Sequence, residues 1–489
     1  MSLINKLAGQ TAVYGLPSIF GRLLNYLLTP LYTRILIPEE FGIVTELYAY
    51  VSFLIIILTY GMETGLFRFS QSEKNKEVVY STILISILLS TSLFILLFIS
   101  LSPYISSGLG YTGKEEYIIW FIFIIALDGV SAIPFAKLRE ENKAIKFSLF
   151  KFISILSNIF FVLFFLLFCP FIYAKGEGTL FELINLFYSP QIGMGYIFIS
   201  NLLASIITVV LLLPYLIPKV YIFDLALWKR MMIYSLPLLI AGLAGMTNET
   251  ADRIMLKYLL PPDTALYQLG IYGACYKIAI LMTLFIQSFR FAVEPFFFTQ
   301  YKEKNRTEIY AQVMNYFILA GSLIFLGVML YIDIVQLFVG EDFREGIKIV
   351  PLLLLANLFM GIFFNLSIWY KLTGKTLFGA YLTITGAVIT ITFNLILIPK
   401  IGYMGSAWTT LICYTMMMLL SYFIGQKYFP VNYNLQKAGA YLFLSVFLYF
   451  ISDALAPEEQ VTKIIFNTLL LIVFLTTAFL IERGKKIVI

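Results

Sequence analysis

Arg22 and Lys277 lie well inside apolar stretches of this 489-residue sequence, whereas the other 32 of its 34 Lys and Arg residues fall in or beside short links. An ionisable side chain in a membrane-spanning helix is costly unless it faces a polar cavity or a partner. Both residues are therefore candidate ligands for an anion handled within a bilayer: Arg offers a planar fork of donors, Lys a point charge. In the first stretch Gly15, Ser18, Arg22, Asn25 and Thr29 recur at helical spacing, forming one polar stripe with Arg22 at its middle and Asn25 beside it. A weaker stripe runs through Thr45, Ala49, Ser52, Thr59 and Glu63, and a third puts Gly270, Gly273, Lys277 and Ser288 on roughly one side. Close helix packing accounts for the small residues of these stripes better than a ligand path does. Packing does not ask for a guanidinium at mid-depth. For Lys277 a structural ion pair stands beside the functional reading.

Carboxylates near or within the apolar stretches are Glu46, Glu63, Asp128, Glu249, Asp252, Glu294 and Asp333. Glu249 with Arg253, and Arg290 with Glu294, have the i, i+4 spacing of local helix pairs. Glu63 and Asp128 have no basic residue a turn upstream, although Glu63 approaches Arg68; with Glu249 they are the candidates for coupling to H+ or Na+. The sequence contains no histidine, so a His base, a His metal ligand and a His proton relay are excluded together. Cys169, Cys275 and Cys413 are scattered in apolar runs without CxxC spacing and read as small buried hydrophobes. No phosphate-binding glycine loop and no catalytically spaced carboxylate pair occurs. The expectation is a protein that is not an enzyme and carries no cofactor.

The elements that must position these residues are membrane helices. Hydrophobic residues make up 60% of the chain and charged residues 13%, and the mean hydropathy is +0.89, values foreign to soluble domains. Runs of the roughly 20 residues needed to cross a bilayer lie near 11–33, 42–66, 78–101, 117–136, 147–169, 192–217, 232–251, 265–289, 309–332, 347–370, 376–398, 403–425, 437–452 and 461–481. This predicts an all-α polytopic membrane protein of about fourteen spans. Alternate links hold 23 and 9 basic residues, which places both termini in the cytoplasm. The first stretch is too long for a cleaved signal peptide and is expected to remain as span 1. A net charge of +6 suits a rim facing anionic lipid and calls for no nucleic-acid partner. The links are too short to hold an extramembrane domain, the longest running from about Tyr173 to Gln191.

Spans 1 and 7 open alike, with Leu16-Pro17 matching Leu236-Pro237, and their exits match in Arg34-Ile-Leu-Ile-Pro38 and Lys257-Tyr-Leu-Leu-Pro261. Two pseudo-symmetric six-helix lobes follow, at 1–217 and 218–430, with a C-terminal helix pair at 431–489. A cleft between the lobes is the expected path.

The segment Asn394-Leu-Ile-Leu-Ile-Pro399-Lys-Ile-Gly402-Tyr-Met-Gly405-Ser-Ala407 resembles the junction of spans 11 and 12 in bacterial oligosaccharide flippases of the multidrug/oligosaccharidyl-lipid/polysaccharide exporter superfamily. Phe289-Arg290-Phe-Ala-Val-Glu294-Pro295-Phe296-Phe297 resembles the end of their span 8, and Pro38-Glu-Glu-Phe-Gly42 their first loop. The resemblance covers essentially the whole chain. It implies translocation of polyprenyl-diphosphate-linked oligosaccharides across the bacterial cytoplasmic membrane for O-antigen, capsule or exopolysaccharide assembly, beside a polysaccharide polymerase. By the same resemblance, a basic residue of span 1 binds the diphosphate in related lipid II flippases, and Arg22 occupies a comparable place. Lys277 and Asn25 are expected to join it. The alternative is an ion-coupled multidrug exporter of the same superfamily, whose cleft should be acidic; span 1 has Arg22 and no carboxylate. A membrane-embedded polymerase or ligase would be expected to show a large outer loop with basic and histidine residues, which this sequence lacks.

Overall fold

The structure is a computed structural model describing residue 21, residues 23–300, residue 303 and residues 305–483. Its described residues form helices and no strand. Among the described residues thirteen helical stretches are long and apolar enough to cross a membrane; they follow spans 2 to 14 of the sequence in order, except that the stretch for span 8 is displaced to Ile280–Phe298, beyond Lys277. Much of span 1, including Arg22, lies outside the described residues.

In chain order the helices are α1 (Thr29–Ile35), α2 (Pro38–Thr59), α3 (Met62–Ser72), α4 (Lys76–Gly108), α5 (Glu115–Glu140), α6 (Ala144–Leu163), α7 (Cys169–Tyr173), α8 (Thr179–Asn185), α9 (Gly195–Leu216) and α10 (Leu225–Leu259). There follow α11 (Pro262–Ile278), α12 (Ile280–Gln300), α13 (Arg306–Leu330), α14 (Ile332–Val335), α15 (Val350–Leu366), α16 (Ile368–Leu372), α17 (Leu377–Ile401), α18 (Tyr403–Tyr428), α19 (Leu435–Leu455) and α20 (Gln460–Arg483).

Local sequence explains the boundaries that matter for function. Pro38 and Pro262 each open a helix, where a missing N–H costs nothing and the fixed φ is already helical. Asn75 caps α4, its side chain accepting from the backbone N–H of Glu77 at 3.2 Å and of Val78 at 3.4 Å. Span 2 is broken between α2 and α3 by Tyr60 (φ 32°) and Gly61 (φ 72°). The left-handed region favours glycine, and a Cβ at Gly61 would also stand 3.1 Å from the Ser235 carbonyl oxygen. Span 8 is broken at Ala279, between α11 and α12. Neither polar stripe of the sequence is therefore continuous: Glu63 lies beyond one break and Ser288 beyond the other.

The described residues cluster into two compact units. The N-terminal unit takes in residues up to 28 and residues 46–246. Here α9 packs on α5 and α6, and α4 on α5, around a core that includes Met62, Tyr80, Ile83, Ile133 and Met231. At one end a belt of ion pairs joins these helices: Lys76–Glu140 at 2.7 Å, Lys137–Glu77 at 3.2 Å, Lys219–Glu77 at 3.3 Å and Arg230–Glu73 at 2.9 Å. Most are half exposed, so each adds little by itself.

The C-terminal unit takes in residues 29–45 and residues from 247 onward. In it α18 packs on α15 and α17, and α13 on α19. α20 is held by polar contacts: Asn467 Nδ2 donates to the Leu330 carbonyl at 2.6 Å, Ser452 Oγ donates to Asn467 Oδ1 at 2.7 Å, and Lys463 meets Asp333 at 2.6 Å. Residues 29–45 are fastened at both ends. Arg34 donates to the carbonyls of Pro30 and Leu337, each at 2.7 Å, and the Gly340 N–H donates to Thr33 Oγ1 at 3.0 Å. Further along, α2 and α11 cross with reciprocal backbone contact. A Cβ on Gly42 would overlap the Leu266 carbonyl oxygen, one on Gly270 the Pro38 carbonyl oxygen, and one on Gly273 would stand 2.6 Å from Thr45 Oγ1. Gly270 and Gly273, read from sequence as packing residues, are packing residues.

A Gly270→Ala variant should lose about 1–3 kcal/mol from this crossing, seen as a lowered thermal midpoint of the detergent-solubilised protein. Gly327→Ala, in a helix and with nothing within 4 Å of the added methyl, is the control and should be neutral or stabilising.

Candidate functional site

Each unit holds a group of charged side chains inside its helices. In the N-terminal unit the group comprises Glu63 at the start of α3, Asp128 in the middle of α5, Arg139 in the last turn of α5 and Lys151 two turns into α6. Asp128 Oδ1 accepts a hydrogen bond of 2.8 Å from the buried Ser205 of α9. The Lys151 ammonium stands 4.1 Å from the centroid of the Phe135 ring, within electrostatic reach of Asp128, Glu63 and Arg139. Arg139 lies 5.0 Å over the Phe67 ring. A turn along α9, Asn201 donates to the Tyr48 hydroxyl at 2.7 Å, and Tyr48 feels the charge of Asp128.

Among the described residues none of the four charges closes an ion pair within 4.0 Å. Two carboxylates and two cations thus balance at a distance, held apart by aromatic rings and a serine. Attraction between opposite charges in a poorly screened site does not need contact to be sizeable. Such a group can accept an ion or proton at its carboxylates, or an anion at its cations, without first breaking a salt bridge.

In the C-terminal unit the group is built on α10 and α11. Asp252 and Arg253 are adjacent, with 3.2 Å between Asp252 Oδ1 and the guanidinium; Asp252 is buried and Arg253 largely so. The Tyr272 hydroxyl donates to the other Asp252 oxygen. Arg253 also donates to the Glu249 backbone carbonyl at 2.5 Å and lies 4.6 Å over the Tyr276 ring. Glu249 therefore does not pair with Arg253 through its carboxylate, as i, i+4 spacing implied; it is exposed, and Asp252 has taken its place. Tyr414 donates to the Asn248 carbonyl at 3.2 Å, and the Asn248 amide donates to the Thr383 carbonyl at 3.0 Å, which binds α10 to α18 and α17. Lys277, in the last turn of α11 before the break at Ala279, lies within electrostatic reach of Arg253. Two cations thus lie within electrostatic reach of each other, with Asp252 bound to one of them.

The structure brings Glu63 and Asp128 into one group and puts Lys277 beside a partner that sequence did not nominate. Asn25 is exposed, and Arg22 lies outside the described residues, so their proposed meeting with Lys277 stays an expectation. Lys151, Arg253 and Arg290 were assigned to links, whereas α6, α10 and α12 run through them. The signal for Lys151 was present in the turn Glu-Glu-Asn-Lys: Asn142 has φ 56°, and α6 starts at Ala144, seven residues before Lys151.

Helices of this length and hydropathy, in this order, define a multi-pass membrane protein. The chain is similar to the lipid II flippase MurJ in an inward closed conformation, with a TM-score of 0.71 and 14% identity over 96% of this chain and 99% of that one. It is similar to an inward-facing multidrug resistance MATE family transporter of the MOP superfamily, with a TM-score of 0.59 and 16% identity over 89% and 94%. A MOP superfamily transporter from Pyrococcus furiosus, described by the reverse polarity of its binding pocket, gives a TM-score of 0.55 and 14% identity over 86% and 95%. No curated protein matches. Residues 7–299 match the family described as polysaccharide biosynthesis protein, and the chain belongs to that family.

Asp252→Asn should cost about 3 kcal/mol, because it strands the buried Arg253 guanidinium. The check is the thermal midpoint of the purified protein, with Glu249→Gln, an exposed carboxylate a turn away, leaving it within about 0.5 kcal/mol of wild type.

Proposed function

We propose that the protein flips polyprenyl-diphosphate-linked oligosaccharides across the bacterial cytoplasmic membrane for the assembly of a surface polysaccharide such as O-antigen, capsule or exopolysaccharide. The observation that carries this reading is membership of the polysaccharide biosynthesis protein family. Arg253 and Lys277, two cations within electrostatic reach of each other, suit a polyvalent anion. A diphosphate fits that requirement, with Arg253 supplying forked donors and Lys277 a mobile ammonium. An organic cation does not fit it. Family membership and the likeness to a lipid II flippase support the same class of cargo.

In this reading the diphosphate moves with the charged group of the C-terminal unit while the prenyl chain stays in lipid. Arg22 and Asn25 remain proposed ligands on span 1. Asp128 and Glu63 are the proposed seats of H+ or Na+ coupling in the N-terminal unit. Their charges are set against Lys151 and Arg139, so taking up a cation there would free a positive charge and alter affinity for an anion elsewhere in the unit. Glu249, exposed near Arg253, is the third coupling candidate. Both termini are placed in the cytoplasm by the basic links, and a polysaccharide polymerase is the expected partner on the far side.

The half-buried carboxylates of the N-terminal unit also suit the multidrug-exporter reading, and one experiment separates the two. Full-length protein in liposomes is given a polyprenyl-diphosphate oligosaccharide, and arrival of the sugar in the opposite leaflet is timed, with ethidium export measured in parallel. Wild type should move the lipid and leave ethidium in place. Lys277→Gln and Arg253→Gln should each slow the lipid roughly tenfold or more, the worth of a lost charge-assisted hydrogen bond. Ethidium export without lipid transfer would overturn the reading.

A further inference from the structure

Arg290 stands one turn before Glu294 on α12, the spacing of a local ion pair. The carboxylate goes elsewhere. Glu294 Oε1 takes the ammonium of Lys371 on α16, and the Arg290 guanidinium lies over the Phe364 ring of α15, 4.0 Å from its centroid. Among the described residues Arg290 closes no ion pair and donates no hydrogen bond. Asn365, only 7% exposed, likewise finds no hydrogen-bond partner for its side-chain amide among the described residues. Both line a cavity of about 290 Å³, open mouth included, whose apolar wall includes Phe289, Val293 and Phe297. None of its lining residues belongs to the Arg253–Lys277 group.

The cavity therefore carries two cations against one carboxylate. Stacking on Phe364 occupies one face of the guanidinium and leaves its in-plane N–H donors without protein acceptors, and a second donor group, the Asn365 amide, opens on the same space. Donors stranded in an apolar surround are costly unless a ligand meets them. A single anion with several oxygens satisfies both conditions, of charge and of donors. The phenyl-rich wall adds a preference for an anion that carries hydrocarbon.

We propose that this cavity is a second anion subsite, which holds the phosphate headgroup of an amphiphile. Arg290 and Asn365 donate to its phosphate oxygens and Lys371 completes the charge while Glu294 fixes the position of Lys371. The source of the phosphate is either the prenyl diphosphate of the proposed cargo, a choice that rests on the flippase reading, or an anionic phospholipid, which does not.

The test titrates full-length protein in detergent, carrying Lys277→Gln so that the other cation group is disabled, with farnesyl diphosphate, short-chain phosphatidylglycerol, short-chain phosphatidylcholine and inorganic diphosphate. Adding Arg290→Gln should weaken binding of the anionic amphiphiles roughly tenfold. Glu294→Gln, which releases Lys371 and raises the net charge by one, should strengthen it; a merely structural role for this cluster predicts weakening from both changes. Loss confined to farnesyl diphosphate makes the cavity a cargo subsite. Loss confined to phosphatidylglycerol makes it a lipid site that stands even if no oligosaccharide is flipped. Binding unchanged by Arg290→Gln for both anionic amphiphiles, equal loss for phosphatidylcholine, weakening by Glu294→Gln, or inorganic diphosphate bound as tightly as farnesyl diphosphate would each overturn the proposal.

Discussion

Backbone contact between α2 and α11 at Gly42 and Gly270 is the constraint on which the C-terminal unit is arranged. Helices in lipid gain nothing from hiding apolar surface from one another, so close approach through small residues, with the dispersion and weak polar contacts it permits, has to hold them. The reciprocal overlap that any side chain would create at Gly42 and Gly270 shows how fully that device is used. Its consequence is positional. Lys277 lies two turns beyond Gly270, and Gly273 between them meets Thr45. Rotation of α11 about its own axis is thereby blocked, and the ammonium is carried on a fixed face next to Arg253 until the chain breaks at Ala279.

The charged groups of the two units are solved differently. The N-terminal group spreads two carboxylates and two cations around Phe135, Phe67 and Ser205, so that balance is kept without contact. The C-terminal group binds Asp252 to Arg253 and to the Tyr272 hydroxyl, with Lys277 within electrostatic reach of Arg253.

Hydropathy alone located the long helices, because crossing roughly 30 Å of hydrocarbon leaves a period-independent run that few other structures need. Boundaries are harder to read, because helices run on through charges at their ends: the run 232–251 stops short of Arg253, whereas α10 continues through it to Leu259. Charges that work within a helix are the ones that a run ended short discards. The i, i+4 pairs failed for a related reason. Local spacing makes contact possible, but Asp252 lies nearer to Arg253 than Glu249 does, and Lys371 reaches Glu294 from 77 residues away. No proline marks the breaks at Tyr60 and Ala279, so these too were invisible in the sequence. Small-residue stripes were read correctly where packing was preferred, as at Gly270 and Gly273. Arg22, the strongest candidate in the sequence, falls outside the described residues and keeps that standing.

The bond between Asn467 and the Leu330 carbonyl bears on how the protein is made. That carbonyl belongs to the last turn of α13, and its donor is translated 137 residues later. During synthesis the end of α13 carries an uncapped acceptor, joined by Asp333 without Lys463, while four further membrane-crossing stretches are laid down. Completion of α20 closes both at once. A ribosome that stalls before α20 would leave an exposed polar mark at a known depth, the kind of feature by which membrane proteases distinguish unfinished chains from finished ones.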